Sequence, residues 1–109
     1  MPAIEYSPIA LEDLQRIRDN ISAIWGEAAA KRMLKKITSD ISRLKQHPVS
    51  GVDLGKIIDV QTDYRYLFSE KNYVFYYLEF DKVRIVRVLN EKQDYIKQLF
   101  GINTESNED

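Results

Sequence analysis

The stretch DYRYLFSEKNYVFYYLEFDKVRIVRVL, residues 63–89, decides the fold. Tyr64, Tyr66 and Phe68 alternate with Arg65 and Leu67, the two-residue period of a strand with one buried face. Residues 69–72 are polar and turn-like. Every position from Tyr73 to Leu78 is apolar or aromatic, which suits a central strand covered on both faces. Asp81-Lys82 breaks the run, and Val83, Ile85, Val86 and Val88 bring a third strand rich in β-branched residues. A meander this aromatic is the core sheet, and the remaining chain must pack on it.

Two helices precede it. Ser7-Pro8 is a helix start, with Ser7 as N-cap and proline where its missing N–H costs nothing. Ala10, Leu14, Ile17, Ile21 and Ile24 then form one apolar stripe, and Gly26 ends it. Ala30, Leu34, Ile37, Ile41 and Leu44 repeat the spacing, Met33 widens the stripe, and His47-Pro48 closes it. The spacing predicts an antiparallel hairpin over 8–25 and 27–46. Leu14, Ile17, Ile21, Leu34, Ile37, Ile41, Phe75 and Ile85 are its expected core. Residues 3–6 alternate like a strand. Residues 56–60 read as an irregular strand or a loop packed by its isoleucines. Tyr95, Ile96, Leu99 and Phe100 give one apolar side to a short final helix that Gly101 stops. The expected order is β-α-α-β-β-β-α, an α+β fold with the hairpin over a mainly antiparallel sheet. One domain over 1–102 and a disordered polar tail over 103–109 complete the layout.

The 109 residues suffice for one core and no more. Without cysteine there is no disulfide framework or thiolate metal site, and no metal or organic cofactor is suggested. No apolar run approaches the roughly 20 residues of a membrane span, and the first residues lack a signal peptide, so the cytoplasm is the default location and no membrane partner is expected. Net charge is -1, and +2 without the acidic tail, so nucleic-acid binding would require a local patch.

Familiar catalytic signatures are absent. His47, the only histidine, sits at a helix end beside a proline and reads more readily as a helix-terminal residue than as a base. Five of the seven tyrosines lie in the meander; a half-buried sheet explains them better than base stacking. Three residues apart in one strand, Arg84 and Arg87 should point to opposite faces. Glu5, Glu12 and Asp13 read as solvated carboxylates. Trp25, near the connecting turn and one place past the stripe, is either a core plug or a partner anchor.

Several short pieces, in order, carry a resemblance. They are Tyr6-Ser7-Pro8 with Ala10 and Asp13-Leu14, Trp25-Gly26 with Ala29, and Leu44 with His47-Pro48 and Gly51. Tyr64-Arg65, Tyr73-Val74-Phe75-Tyr76, and Ile85 with Arg87-Val88-Leu89 before Asp94 follow. Over residues 4–100 the chain resembles the RelE/ParE superfamily of toxins from bacterial type II toxin–antitoxin modules. The long hairpin with Trp-Gly at its tip is more similar to the ParE branch. The resemblance implies a growth inhibitor, associated with plasmid stabilisation, that binds DNA gyrase and is neutralised by a cognate antitoxin in a hetero-oligomer. The RelE alternative is an endoribonuclease acting on ribosome-bound mRNA. At the positions where that branch carries basic or tyrosyl groups, this sequence has Leu67, Val74, Gln93 and Leu99, and only Arg65 is basic. Lys92 or Tyr95 would have to be recruited. Residues 90–94, Asn-Glu-Lys-Gln-Asp, also lack the arginine common in the ParE branch, and an attenuated toxin that keeps only antitoxin binding is a third reading. The expected target contacts are Arg65 and Lys92, and Trp25 is the expected antitoxin contact.

Overall fold

The computed structural model describes residues 2–101. The polar tail expected over 103–109 lies outside the described residues. Strand β1 (Ala3–Tyr6) leads into helix α1 (Pro8–Trp25) and helix α2 (Glu27–Ser42), followed by a 3-10 turn at Arg43–Lys45. The two-residue strand β2 (Val52–Asp53) and a second 3-10 turn (Leu54–Lys56) precede the meander of β3 (Arg65–Ser69), β4 (Asn72–Glu79) and β5 (Lys82–Asn90); α3 (Tyr95–Phe100) closes the chain. The five strands lie in the order β1-β5-β4-β3-β2, with β1 parallel to β5 and the other pairs antiparallel.

Local chemistry explains most boundaries. Ser7 Oγ accepts the Ala10 N–H at 3.0 Å, the bond that an N-cap supplies. Gly26 alone joins the helices, at φ +94°, which an L side chain rarely adopts. Helix α2 ends at Ser42 rather than at 46, because its last turn tightens to 3-10 geometry before Pro48. Of the two expectations for residues 56–60 the loop is the one found: after the 3-10 turn it runs without a strand, Ile58 packs on a buried cluster and Ile57 is exposed, while the short strand lies earlier, at Val52–Asp53. The β4–β5 turn is Phe80-Asp81 rather than Asp81-Lys82, since Glu79 pairs with Lys82. Phe80 takes φ +51° there, an uncommon conformation for a bulky residue, and is fully exposed.

A bulge in β5 shapes the fold. Phe75 pairs with Arg87 and Tyr76 with Ile85, which leaves Val86 as the extra residue. The bulge resets the two-residue alternation, so Arg84 (opposite Tyr77) and Arg87 (opposite Phe75) register on the same face of the sheet. That corrects the opposite-face expectation. Ser7 docks against this irregularity: its N–H donates to Ile85 O at 2.9 Å and its Oγ donates to Val86 O at 2.9 Å.

The main core lies between hairpin and sheet, with Ala10, Leu14, Ile37, Ile41, Leu44, Val74, Tyr76, Val83, Ile85 and Val88 buried. A second cluster, Leu54, Phe75 and Leu89, is covered by Tyr95, Leu99 and Phe100 on the opposite face. Of the expected core, Ile17, Ile21 and Leu34 are only half-buried; Ile24, which continues the α1 stripe outside the expected core, is 69% exposed. Helix α1, roughly 27 Å long at 1.5 Å per residue, outruns the sheet beneath it. Truncating the fully buried Ile37 to alanine should therefore cost about 2–5 kcal/mol. Ile24→Ala, on the same kind of stripe, should change stability by less than about 0.5 kcal/mol. Urea unfolding of both variants checks the contrast; equal losses would contradict the overhang.

Candidate functional site

Two buried carboxylates set the geometry of every surface the chain offers. Asp13, fully buried on α1, accepts from Arg87 Nε at 2.8 Å and from the Val88 N–H at 2.9 Å through Oδ2. Its Oδ1 accepts from Arg87 Nη2 at 3.0 Å and Arg16 Nη2 at 2.7 Å. A forked guanidinium on both oxygens is the strongest pairing these side chains make. Strand β1 ends opposite Ile85, so the carboxylate takes over the sheet edge where β5 has lost its neighbour. Burial alone would raise the Asp13 pKa, but the hydrogen bonds from Arg87, Val88 and Arg16 and the Arg87 charge outweigh it and hold the carboxyl below its ordinary value. Arg87 is correspondingly held charged, chiefly by the Asp13 hydrogen bond. Asp40 does the same for α2. Its Oδ2 accepts the Ser69 hydroxyl of β3 at 2.6 Å, and Oδ1 accepts from Lys36 at 2.7 Å and Arg43 at 2.8 Å. There too, burial pushes the pKa up and the donors and cations bring it below the usual range.

Reading Asp13 as a solvated carboxylate is thus overturned. The missed signal is in the spacing. Asp13 lies three residues after Ala10 and four before Ile17, on the apolar stripe; Asp40 lies three after Ile37 and four before Leu44, on the other. An acid on a buried stripe demands a partner from across the core. Glu5, by contrast, is half-exposed and holds Arg84 at 2.7 Å and Lys82 at 3.2 Å. Arg84 and Arg87, although on one face by register, are both spent on carboxylates.

Beyond the Asp13 anchor the hairpin lifts off the sheet and leaves a groove of about 240 Å³. Arg16, Ile17, Asn20, Ile21 and Met33 line it from the helices, and Glu70, Lys71, Asn72, Asn90 and Gln93 from the strand ends. Asn72 is 3% exposed, and its Oδ1 has no hydrogen-bond partner among the described residues. Past the groove, the hairpin tip presents Ile24 and Trp25, 69% and 72% exposed. Trp25 is therefore no core plug. The outer edge of β3 is also open, since β2 pairs only with Arg65 and Tyr66.

The structure does not bring Arg65 and Lys92 together. Arg65 pairs with Tyr76, whereas Lys92 follows Asn90, which pairs with Asn72, so four strand residues, roughly 13 Å, and two strand spacings separate their rows. Arg65 Nη1 donates to Gly51 O at 3.0 Å and to Val49 O at 3.3 Å. The buried Tyr76 hydroxyl clamps the same loop, donating to Pro48 O and accepting the Gly51 N–H, each at 2.9 Å. Gly51 has to be glycine, because a Cβ there would collide with the Tyr76 ring and hydroxyl. Lys92 is exposed in the turn after β5, where its N–H donates to Asn90 Oδ1 at 2.9 Å.

The positions a nuclease of the RelE kind would use are spent on architecture. Val74 is fully buried and Leu67 packs against the main core. Leu99 packs on the second cluster, and Gln93 Oε1 accepts the Asn90 N–H at 2.8 Å to close the turn. Tyr95 lies 5.2 Å from Phe75 and 5.3 Å from Tyr73, between ring centroids. Burial, and then the neighbouring Tyr73 and Tyr66, push its pKa above the ordinary tyrosine value, so even less of the phenolate that a general base requires is present near neutral pH. His47 is exposed at the end of the helical segment. Among the described residues no group of histidine, cysteine or carboxylate side chains is arranged to hold a metal, and no helix is long and apolar enough to cross a membrane.

The chain is thus a helical hairpin clamped on a five-stranded mixed sheet, with an open groove beneath its tip. The family model for the ParE toxin of the type II toxin–antitoxin system parDE matches residues 4–95, and the chain belongs to that family. No curated protein sequence matches it. Among solved structures, the chromosomal ParDE toxin–antitoxin system from P. aeruginosa aligns with a TM-score of 0.71 at 20% identity, over 83% of this chain and 96% of that one. The YoeB-YefM complex from Staphylococcus aureus aligns at 0.52 and 16% identity, over 82% and 95% of the two chains. These likenesses carry the RelE/ParE fold.

The Asp13 clamp predicts a pH dependence. With its folded pKa depressed below the ordinary 3.8, Asp13 contributes stability that is present above that value and is lost as pH falls through the folded pKa. Asp13→Asn should cost about 3 kcal/mol at neutral pH, near the low end for a broken buried pair because Arg16 is free to rehydrate. Below about pH 4 the gap to wild type should narrow. Urea titrations from pH 7 to pH 2 measure both, and a gap independent of pH would contradict the clamp.

Proposed function

We propose that the chain is a growth-inhibiting toxin that acts on DNA gyrase by binding rather than by hydrolysis, and that a cognate antitoxin silences it in a hetero-oligomer. The observation that carries the choice of target is the fate of the nuclease positions: Leu67, Val74, Gln93 and Leu99 serve packing and a turn. General acid–base chemistry and charge stabilisation have no residues to use there. Family membership supports the toxin role, and the neighbouring structures are named as toxin–antitoxin systems and complexes.

The antitoxin is assigned to the groove under the hairpin, with Trp25 as its anchor and the open edge of β3 as a further contact. A half-buried apolar floor with a polar rim suits a segment that orders on binding. Trp25→Ala should weaken the antitoxin complex by about 2 kcal/mol, roughly thirty-fold in Kd, without altering the fold. Calorimetry reads the affinity, and hydrogen exchange should place new protection in α1 and α2. Protection confined to 92–100 would move the interface to α3.

For the target, Lys92 is the cleaner probe and Arg65 the compound one, because Arg65 also holds the 48–51 loop. Expression without antitoxin should arrest growth with DNA damage, and purified protein should stall gyrase supercoiling. Lys92→Ala should relieve both and leave antitoxin binding intact. Cleavage of ribosome-bound mRNA at codon positions, abolished by Arg65→Ala, would replace this reading with the ribonuclease. Tight antitoxin binding with neither activity would identify an attenuated toxin.

A further inference from the structure

We propose that the outer face of α2 is a binding surface for a duplex nucleic-acid backbone. It carries Lys31, Arg32, Lys35 and Lys36, interspersed with Ser39 and Ser42 and continued by Arg43 of the following 3-10 turn, all exposed. They extend over about 18 Å at 1.5 Å per residue. The side chains of Arg32, Lys35, Lys36 and Ser39 flank a shallow depression on it. Both acids of α2 are already engaged, Glu27 by Arg18 at 3.2 Å and Asp40 by Lys36, Arg43 and Ser69. Among the described residues no ion pair engages Lys31, Arg32 or Lys35. Lys31/Lys35 and Arg32/Lys36 are like-charge pairs one turn apart, which destabilise a helix unless something else uses them. Helix α1 shows the ordinary arrangement, with Arg16 on Asp13, Gln15 on Asp19 and Arg18 on Glu27.

The chemistry of the face selects the ligand. Its exposed large apolar side chains would be the anchors of a protein interface, but every such residue in the described chain lies outside α2, at Ile9, Leu11, Ile24, Trp25, Val49, Val52, Ile57, Phe68, Leu78 and Phe80. Lysine is depleted from protein interfaces, whereas lysine, arginine and serine are the residues that contact phosphates. With no aromatic ring on the face to stack a base, single strands gain nothing there. A straight row of cations and hydroxyls fits the regular phosphates of a duplex, without reading its sequence. The overall charge of -1 does not prevent this, since charges beyond about 8 Å are largely screened in physiological salt. The inference is independent of which target the toxin poisons.

Fluorescence anisotropy of the full chain with a labelled 30-base-pair duplex tests it, with DNA and RNA duplexes run separately to identify the source of the backbone. Five phosphate contacts should cost affinity about 500-fold between 50 and 200 mM salt, and the triple variant K31A/R32A/K35A should lose only about tenfold over that range. The triple variant should keep its circular dichroism and its antitoxin affinity, because these side chains hold nothing in the fold. Equal binding of the two duplexes supports recognition of the backbone alone. An unchanged salt dependence in the variant, or tighter binding of a single strand, would overturn the proposal. So would retention by poly-glutamate of a protein that ignores both duplexes, which would give the face to an acidic protein segment.

Discussion

The fold depends on two carboxylates that tie the helical hairpin to the sheet. Apolar packing is non-directional, and two stripes of isoleucine and leucine would bury nearly as much area at several positions along the strands. Asp13 bonding Arg87 and the Val88 N–H, and Asp40 bonding Ser69, select one of them. Each anchor meets a place where the sheet has an unsatisfied group. Val88 has lost its neighbour because β1 ends opposite Ile85, and at that open edge Arg87, which registers with Phe75 on the far face of the sheet, reaches Asp13. Removing Asp13 would strand the largely buried Arg87 and the Val88 N–H, and removing Asp40 would leave the buried Ser69 hydroxyl without its acceptor.

The position so fixed decides what remains uncovered. Anchoring α1 through its first half puts Ala10, Asp13 and Leu14 over the sheet and carries Ile17, Ile21, Ile24 and Trp25 progressively beyond it. The overhang is what opens the groove against Asn72 and Asn90. A shorter hairpin, or one docked a turn further along, would bury its own stripe and leave no apolar floor for a partner. The exposed apolar tip is thus a consequence of where the carboxylates hold, not a defect of packing.

Much of this was legible in the sequence. The Ser-Pro start, the single glycine between two stripes and the aromatic meander gave α1 its bounds and the sheet its centre, because those signals are local. What escaped was non-local. The bulge at Val86 leaves no mark in a run of β-branched residues, and it reversed the expected faces of Arg84 and Arg87. The strand at Val52–Asp53 is two residues long and exists only because β3 lies beside it. Asp13 looked solvated because Glu12 beside it is; its place on the Ala10–Ile17 stripe was the contrary sign. Arg65 was visible as a cation among aromatics, but its attachment to the Val49 and Gly51 carbonyls required the loop to be seen.

The same helical arithmetic that buries one side of α2 frees the other. Ala30, Ile37, Ile41 and Leu44 face the core and Met33 faces the groove, so Lys31, Arg32, Lys35 and Ser39 point away from both. A partner seated beneath the hairpin therefore leaves the cationic face clear. On the proposed reading the two surfaces couple through charge: an acidic partner in the groove would weaken the field at α2, and a basic one would extend it. If both proposals hold, the charge of the segment that fills the groove, rather than its contact area, sets how strongly the complex meets a polyanion.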